Sequence, residues 1–275
     1  MNISEALAFI KNQLMHIANE SALYEAELIL QHVMHCSRSQ LYLGRNGLLL
    51  NKLRNEIELI LERRKHHEPL PYILGTAYFH TKEFIVNRNV LIPRPDTEVL
   101  VETVLTSEKK RNCFFLEIGI GSGAISAILL QEHPDWQCIG TDISVSALHV
   151  AGRNCAGNFH LTCSDLFSSM KPQTYFDFIV SNPPYISESE MARLDAGVKN
   201  FEPAIALDGG KDGLNFYRAF ASQAGNYLKP GARLYCEIGY LQKESVLMIF
   251  SSRGWKGIKV FNDLAGRPRS VMCNC

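Results

Sequence analysis

The sequence lacks a surplus of charge, a long apolar run and a signal peptide, and each absence excludes a class of protein. Its 275 residues include 28 Lys and Arg against 28 Asp and Glu. Proteins that bind duplex DNA usually cluster an excess of Lys and Arg to replace phosphate counterions, so we expect no stable nucleic-acid binding. No apolar run approaches the ~20 residues of a membrane helix, so we expect no membrane partner. The N-terminus also lacks a basic segment followed by a compact apolar block.

Paired cysteine motifs are missing as well. The eight cysteines are scattered, and none form a Cys-x-x-Cys pair. Several lie in apolar, strand-like runs, where a free cysteine acts as a small hydrophobic residue. His32, His35 and Cys36 share a short helix without a fourth ligand, so we predict no metal site. This use of cysteine favours a reducing compartment, and we expect a cytoplasmic protein.

The hydrophobic pattern changes near residue 75 and divides the chain. Apolar residues recur at helical spacing through residues 1–75, which predicts an all-helical domain with Ser21 as a helix N-cap. Residues 76–93 belong to a stretch of period near two and predict a β-hairpin linker. Strands and helices then alternate through residues 94–275. This alternation predicts an α/β fold, a mostly parallel sheet with helices on both faces.

A glycine loop between a predicted strand and a predicted helix is the sharpest local motif. The apolar strand carries Glu117 near its end, and Gly-Ile-Gly-Ser-Gly follows at residues 119–123. Glycines let the backbone approach a ligand closely, and a helix N-terminus offers free N–H groups. Asp142 ends the next strand, where an acid can bind a ribose diol. The loop is neither Gly-x-Gly-x-x-Gly nor Walker A, so we predict a nucleoside without phosphates, with Glu117 near a cationic group.

This pattern resembles the class I S-adenosylmethionine-dependent methyltransferases over residues 94–275. The resemblance implies a Rossmann-like sheet and S-adenosyl-L-methionine as the cofactor. In that family the glycine turn surrounds the methionine part, the acid after the second strand binds the ribose, and residues after the third strand contact the adenine. The implied cofactor-binding residues are Glu117, Gly119, Ile120, Gly121, Ser122, Gly123, Asp142, Asp165, Leu166 and Asn182.

A second motif, Asn182-Pro183-Pro184-Tyr185, follows the fourth strand of the predicted sheet. Consecutive prolines hold the chain extended and aim the motif into the crevice at the strand ends. The Asn182 side chain and the Pro183 carbonyl present two acceptors for an –NH2 group on a planar conjugated nitrogen. Such acceptors orient the lone pair and stabilise charge that develops during methyl transfer. We predict that Asn182, Pro183 and Tyr185 are catalytic and that all four residues bind substrate.

The motif (Asp/Asn)-Pro-Pro-aromatic marks methyltransferases that act on adenine amino groups or glutamine amides. Further segments resemble the glutamine branch, namely Arg-Pro-Asp-Thr-Glu at 94–98, the stretch 201–214, and Glu-Ile-Gly at 237–239 followed by 263–269. The chain therefore resembles the release-factor glutamine methyltransferases, the PrmC/HemK family, over essentially its whole length. That resemblance implies methylation of the glutamine in the Gly-Gly-Gln motif of bacterial class-1 peptide chain release factors. It also implies that the helical domain, residues 1–75, helps to recognise this substrate.

Three alternatives stay open on the sequence. An adenine amino-group methyltransferase acting on nucleic acid shares the Asn-Pro-Pro-Tyr motif but would favour a basic face. A sister enzyme that methylates a glutamine of a ribosomal protein shares most of the motifs, so the N-terminal region must discriminate. A non-catalytic nucleoside-binding module would have no need of Asn182 and Tyr185.

Overall fold

Two compact units make up the chain in a computed structural model that describes residues 1–275. The first unit is residues 1–75 together with 195–201, and the second is residues 76–194 together with 202–275. The segment 195–201 therefore clusters with helices more than a hundred residues earlier, which hydrophobic periodicity does not reveal because it reports only local structure. No helix combines the length and the apolar character that crossing a bilayer requires.

The first unit is all-helical. Its helices are α1 (Ile3–Ala18), α2 (Ala22–Met34), α3 (Arg38–Leu43), α4 (Asn51–Lys65), α5 (Leu70–Leu74) and, on the segment 195–201, α10 (Ala196–Phe201). α1 begins at a capping box, in which Asn2 Oδ1 accepts from Glu5 N and Glu5 Oε2 accepts from Asn2 N, both at 2.8 Å. One apolar core joins α1, α2, α3, α4 and α5 and includes the fully buried Ile10, Ile29 and Leu30.

Ser21 occupies the predicted N-cap position of α2, but its side chain does not cap the helix. Ser21 has helical backbone angles, and its side chain makes no capping hydrogen bond. A 3₁₀ turn over Asn19–Ser21 joins α1 to α2, and it satisfies the Ala22 N–H through Asn19 O. A helix that continues from a preceding turn needs no side-chain cap at its first residue.

The second unit contains a two-stranded hairpin and a seven-stranded sheet. Its strands are β1 (Thr76–Phe79), β2 (Lys82–Ile85), β3 (Phe114–Ile118), β4 (Gln137–Asp142), β5 (Phe159–Cys163), β6 (Phe176–Ser181), β7 (Leu228–Glu237), β8 (Lys256–Asn262) and β9 (Pro268–Asn274). β1 and β2 form the antiparallel hairpin. The large sheet has the order β5-β4-β3-β6-β7-β9-β8. All its strands are parallel except β9, which is antiparallel to both neighbours.

Helices cover both faces of this sheet, and the predicted fold class is confirmed. The helices of this unit are α6 (Pro95–Ser107), α7 (Ala124–Glu132), α8 (Val145–Asn154), α9 (Glu188–Met191), α11 (Asn215–Gln223) and α12 (Lys243–Ser252), with 3₁₀ turns at Ala204–Ala206 and Ala224–Asn226. Successive strand residues point to opposite faces. Phe115 and Phe178 therefore pack in one core with α6 and α7, whereas Leu116 and Ile179 pack in the other with α11 and α12.

The strand order also determines where a ligand can bind. β3 lies between β4 and β6, so the connections that follow β3 and β4 run to one side of the sheet and the later ones to the other. A crevice opens outside the carboxyl ends of the strands at such a switch point. The glycine loop follows β3, and the Asn-Pro-Pro-Tyr turn follows β6, so both motifs flank this crevice.

Candidate active site

A cavity of about 290 Å³ is lined by residues at the carboxyl ends of β3, β4 and β6. That volume is close to the lower end of the ~300–1,000 Å³ of small-molecule sites. Its charged lining residues are Arg94, Glu117, Asp142, Asp165 and Asp208. Arg94 is ion-paired with the buried Glu202, so the lining is acidic. An acidic lining suits a ligand that carries positive charge and no phosphate.

Most of the sequence-predicted site residues share this cavity. Ten of them line it: Glu117, Gly119, Ile120, Gly121, Ser122, Asp142, Asp165, Leu166, Asn182 and Pro184. Gly123, Pro183 and Tyr185 do not line the cavity. Gly123 is the N-cap of α7, and Pro183 is a buried residue of the turn. The roles of all these residues in binding and catalysis stay predictions.

Asp142 is held in place by the glycine loop. Its Oδ2 accepts from Gly121 N and its Oδ1 accepts from Ser144 N, both at 2.9 Å. Gly121 has a φ of 52°, in the left-handed region that glycine adopts without strain. The carboxylate is thus oriented before any ligand arrives, which reduces the ordering cost of binding.

Glu117 lies beneath the loop, and its side chain is 1% exposed. Its Oε2 accepts from Ser126 N at 2.9 Å and also from the Ser126 hydroxyl. Burial raises the pKa of Glu117 to about 8, although the Ser126 hydrogen bonds act in the opposite direction. A cationic group bound nearby would favour the ionised form.

Asp165 and Leu166 follow β5 at the far side of the cavity. Leu166 has a φ of 49°, an uncommon conformation for a branched side chain. The Ser164 hydroxyl donates to Leu166 O at 3.0 Å and accepts from Ser169 N at 3.1 Å. These hydrogen bonds hold the turn that presents Leu166 to the cavity.

The Asn-Pro-Pro-Tyr turn is hydrogen-bonded to the glycine-rich loop at residues 207–213. Ile186 N donates to Leu207 O at 2.9 Å, and Ile186 O accepts from Gly209 N at 2.8 Å. Gln242 Nε2 donates to Tyr185 O at 2.8 Å and to Gly213 O at 3.2 Å. A Cβ on Gly209 would lie 2.9 Å from Tyr185 Cα, so only glycine permits this approach.

The side chains of the turn meet two residues whose roles the sequence did not indicate. Asn182 Nδ2 donates to Thr97 Oγ1 at 3.0 Å, and Asn182 Oδ1 receives no hydrogen bond. Tyr185 packs its ring against the core, and its hydroxyl donates to Glu237 Oε1 at 3.2 Å. An acid at the end of the buried strand β7 is a signal that could have identified Glu237.

No group of three or more His, Cys, Asp and Glu side chains is arranged to hold a metal ion. The cavity instead offers carboxylates, backbone N–H groups of a glycine loop and the amide of Asn182. Together the doubly wound sheet, the loop and the turn define a Rossmann-like methyltransferase.

Comparisons with known proteins identify the family. Residues 5–75 match the PrmC N-terminal domain, and residues 95–204 match the methyltransferase small domain. The chain is 38% identical to a release factor glutamine methyltransferase of Geobacter sulfurreducens, over 98% of this chain and 95% of the relative. It is also 38% identical to one of Koribacter versatilis, over 90% of this chain and 89% of the relative. The chain belongs to the release factor glutamine methyltransferase family.

Other relatives are longer proteins. A bifunctional methyltransferase of Rickettsia conorii is 37% identical over 98% of this chain, which spans 57% of that relative's length. Among solved structures, the fold is similar to that of a T. thermophilus 16S rRNA N2 G1207 methyltransferase in complex with AdoMet and guanosine. That structure has a TM-score of 0.50 and 16% identity, over 72% of this chain and 49% of the other.

Proposed function

We propose that this chain methylates the side-chain amide nitrogen of the glutamine in the Gly-Gly-Gln motif of class-1 peptide chain release factors. The family membership supports this substrate, since relatives of nearly equal length carry the name release factor glutamine methyltransferase. One structural observation carries the chemistry. Asn182 donates its Nδ2 to Thr97 and so keeps its Oδ1 available to the cavity as an acceptor.

S-adenosyl-L-methionine supplies the electrophilic methyl group when it is bound. The acidic lining suits its sulfonium charge, and Asp142 is oriented for the ribose diol. Glu117 is buried and lines the same cavity, where its carboxyl group would face the cation.

The residues of the Asn-Pro-Pro-Tyr turn make the glutamine amide nitrogen, a weak nucleophile, able to accept the methyl group. An amide nitrogen is conjugated with its carbonyl, so its lone pair is poorly available. Asn182 Oδ1 and the Pro183 carbonyl accept the two amide N–H groups and turn the lone pair toward the methyl group. As the N–C bond forms and the S–C bond breaks, positive charge develops on nitrogen, and both acceptors stabilise it. The proton then leaves to solvent, because the alkylated nitrogen is strongly acidic.

The first unit would hold the protein substrate. Its surface carries exposed apolar side chains, including Leu43, Leu48 and Leu50, which are 88%, 82% and 69% exposed. Exposed apolar residues in a group are typical of protein-binding surfaces. All eight cysteines are free, which suits the cytoplasm as the compartment in which this substrate is met.

The decisive experiment incubates the purified chain with S-adenosyl-L-methionine and a release factor, and locates the methyl group by mass spectrometry. We expect one methyl group on the glutamine of the Gly-Gly-Gln motif, and none on a release factor in which that glutamine is alanine. Asn182→Ala should lower the rate by about 10²–10³-fold, as loss of one transition-state hydrogen bond does. Asn226→Ala, at an exposed asparagine of the same unit, is the matched control. Methylation of a ribosomal protein or of adenine in nucleic acid, with none on release factors, would overturn the proposal.

A further inference from the structure

Three large apolar side chains lie exposed on two turns of the second unit. Tyr240 and Leu241, on the turn after β7, are 50% and 74% exposed, and Leu264, on the turn between β8 and β9, is fully exposed. We call these three side chains the apolar rim. β8 runs parallel to β7, because both are antiparallel to β9, and β7 is parallel to β6. Both turns therefore lie at the edge of the sheet where β6 ends and the cavity opens.

The first of these turns is hydrogen-bonded to the Asn-Pro-Pro-Tyr turn. Gln242 N donates to Gly239 O at 2.8 Å, and Gln242 Oε1 accepts from Gly239 N at 3.2 Å. These two hydrogen bonds close the turn that carries Tyr240 and Leu241. The same glutamine donates its Nε2 to Tyr185 O at 2.8 Å. One side chain thus joins this part of the apolar rim to the turn that is predicted to bind the substrate.

The second turn is fixed to the start of α6. Asp263 Oδ1 accepts from two backbone N–H groups of the turn, both at 2.9 Å. Asp263 Oδ2 accepts from Arg269 Nε at 3.1 Å, and Arg269 Nη2 pairs with Asp96 Oδ2 at 3.0 Å. Asp96 directly precedes Thr97, which lines the cavity. The turn therefore presents Leu264 from a position that is fixed relative to the cavity.

Tyr240 connects the two turns. The guanidinium carbons of Arg267 and Arg269 each lie 5.9 Å from the centroid of the Tyr240 ring, within the range of cation–π attraction. Arg267 is an exposed residue, so its N–H groups can donate to a partner at the same place. The apolar rim is thus a surface of Tyr, Leu and Arg that is ordered before a partner arrives, which reduces the ordering cost of binding.

The proposed reaction indicates which partner covers this surface. A glutamine of a protein can enter the cavity only if the residues that flank it lie over the surface around the opening. Exposed apolar groups are typical of protein-binding surfaces, and Tyr and Arg are enriched in the centres of protein interfaces. A nucleic acid would instead require an excess of positive charge, whereas Asp96 and Asp263 both pair with Arg269.

We propose that the apolar rim is a docking surface for the segments of the release factor that flank the methylated glutamine. This inference rests on the proposed function, because the proposed reaction supplies the identity of the partner. Tyr240, Leu241 and Leu264 do not line the cavity. Their effect is therefore on affinity for the protein substrate and not on cofactor binding.

The test uses two variants of the apolar rim and one matched control. Leu264→Asp and Tyr240→Ala remove apolar surface from the rim, and Met248→Asp removes it from α12, where Met248 is 64% exposed. The ligand is a release factor in which the glutamine of the Gly-Gly-Gln motif is alanine, so that calorimetry measures its Kd without turnover. The KM for the unaltered release factor and the Kd for S-adenosyl-L-methionine are measured as well. Urea titrations check that each variant is as stable as the parent.

We expect both rim variants to weaken release-factor binding by about 5- to 30-fold, as the loss of one important interface side chain does. KM for the release factor should rise in the same variants. The cofactor Kd should stay within about twofold of the parent value, because the cavity lining is unchanged. Met248→Asp should keep the parent values of all three constants.

Parent-like affinity for the release factor in both rim variants would overturn the inference while leaving the proposed function intact. An equal loss in Met248→Asp would overturn it too, since the effect would then not be specific to the rim. If Tyr240→Ala is less stable than the parent, Leu264→Asp decides the question, because a fully exposed side chain has no buried contacts to lose.

Light scattering tests a second copy of this chain as the occupant. A parent dimer that Leu264→Asp dissociates, with unchanged affinity for the release factor, would assign the rim to self-association and overturn the inference. A parent chain that methylates no release factor contradicts the proposed function itself, and with it the partner assigned here.

Discussion

Replacing Gly213 by alanine tests whether the residues packed against the Asn-Pro-Pro-Tyr turn determine its position. A Cβ on residue 213 would collide with Tyr185 O and lie 2.6 Å from Gln242 Nε2. Gly213 also has a φ of 73°, and this left-handed conformation destabilises a residue with a Cβ by about 1–2 kcal/mol. Overpacking against the carbonyl adds a penalty of about 1–3 kcal/mol.

Gly254→Ala separates these two effects. Gly254 has a φ of 86°, and nothing lies within 4 Å of a Cβ built there. This variant therefore carries the backbone penalty without the collision. In urea titrations we expect the free energy of unfolding to fall by about 1–2 kcal/mol in Gly254→Ala and by about 2–5 kcal/mol in Gly213→Ala.

The two variants should also differ in activity. The alanine Cβ at residue 213 displaces Tyr185 O, and with it the backbone that presents Asn182. A shift of this kind can lower the methyl-transfer rate by about 10²-fold, whereas Gly254→Ala should keep the parent kcat. Equal stability and equal kcat in the two variants would refute the idea that this contact determines the position of the turn.

Three further predictions concern the cofactor, pH and the helical unit. Asp142→Ala should weaken S-adenosyl-L-methionine binding in calorimetry by about 1.5–3 kcal/mol per lost hydrogen bond, and undiminished affinity would remove Asp142 from the site. The pKa of Glu117 is raised from 4.5 to about 8 in the folded chain, so the folded state binds this proton more tightly. The free energy of unfolding should therefore fall as the pH rises between those two values, and Glu117→Gln should flatten this pH dependence in urea titrations. An unaltered dependence on pH in Glu117→Gln would contradict the assignment. Leu48→Asp should raise KM for the release factor without changing cofactor Kd, and Met248→Asp, 64% exposed in the second unit, should do neither. An unchanged KM would show that Leu48 lies outside the substrate surface.

Local patterns were sufficient for most of the second unit. The glycine loop directly follows the strand that carries Glu117. Asp142 ends β4, which is separated from that loop by a single regular helix. The paired prolines likewise restrict their own backbone, so the turn after β6 was predictable from its residues. The hairpin β1–β2 followed from a period of two with suitable side chains.

Local patterns did not predict which distant segments pack together, nor that a 3₁₀ turn takes the place of a side-chain cap at a helix start. Ser21 has the right side chain for an N-cap, but the 3₁₀ turn before it already satisfies the backbone. The segment 195–201 joins the first unit through contacts with residues far earlier in the chain. The hydrophobic periodicity of these residues predicts neither the 3₁₀ turn nor the long-range packing.

The sequence by itself determined which chemistry the chain can carry, because side-chain type and local backbone preference are properties of neighbouring residues. It supplied the glycine loop with Glu117 before it, the proline-stiffened turn and the alternation that builds the sheet. Only the tertiary structure decided which groups meet. Asn182 and Thr97 are 85 residues apart, and Tyr185 and Glu237 are 52 apart. The first contact needs α6 to lie beside the end of β6, and the second needs β6 to pair with β7. Strand order and helix placement are determined by packing over the whole sheet rather than by any local segment.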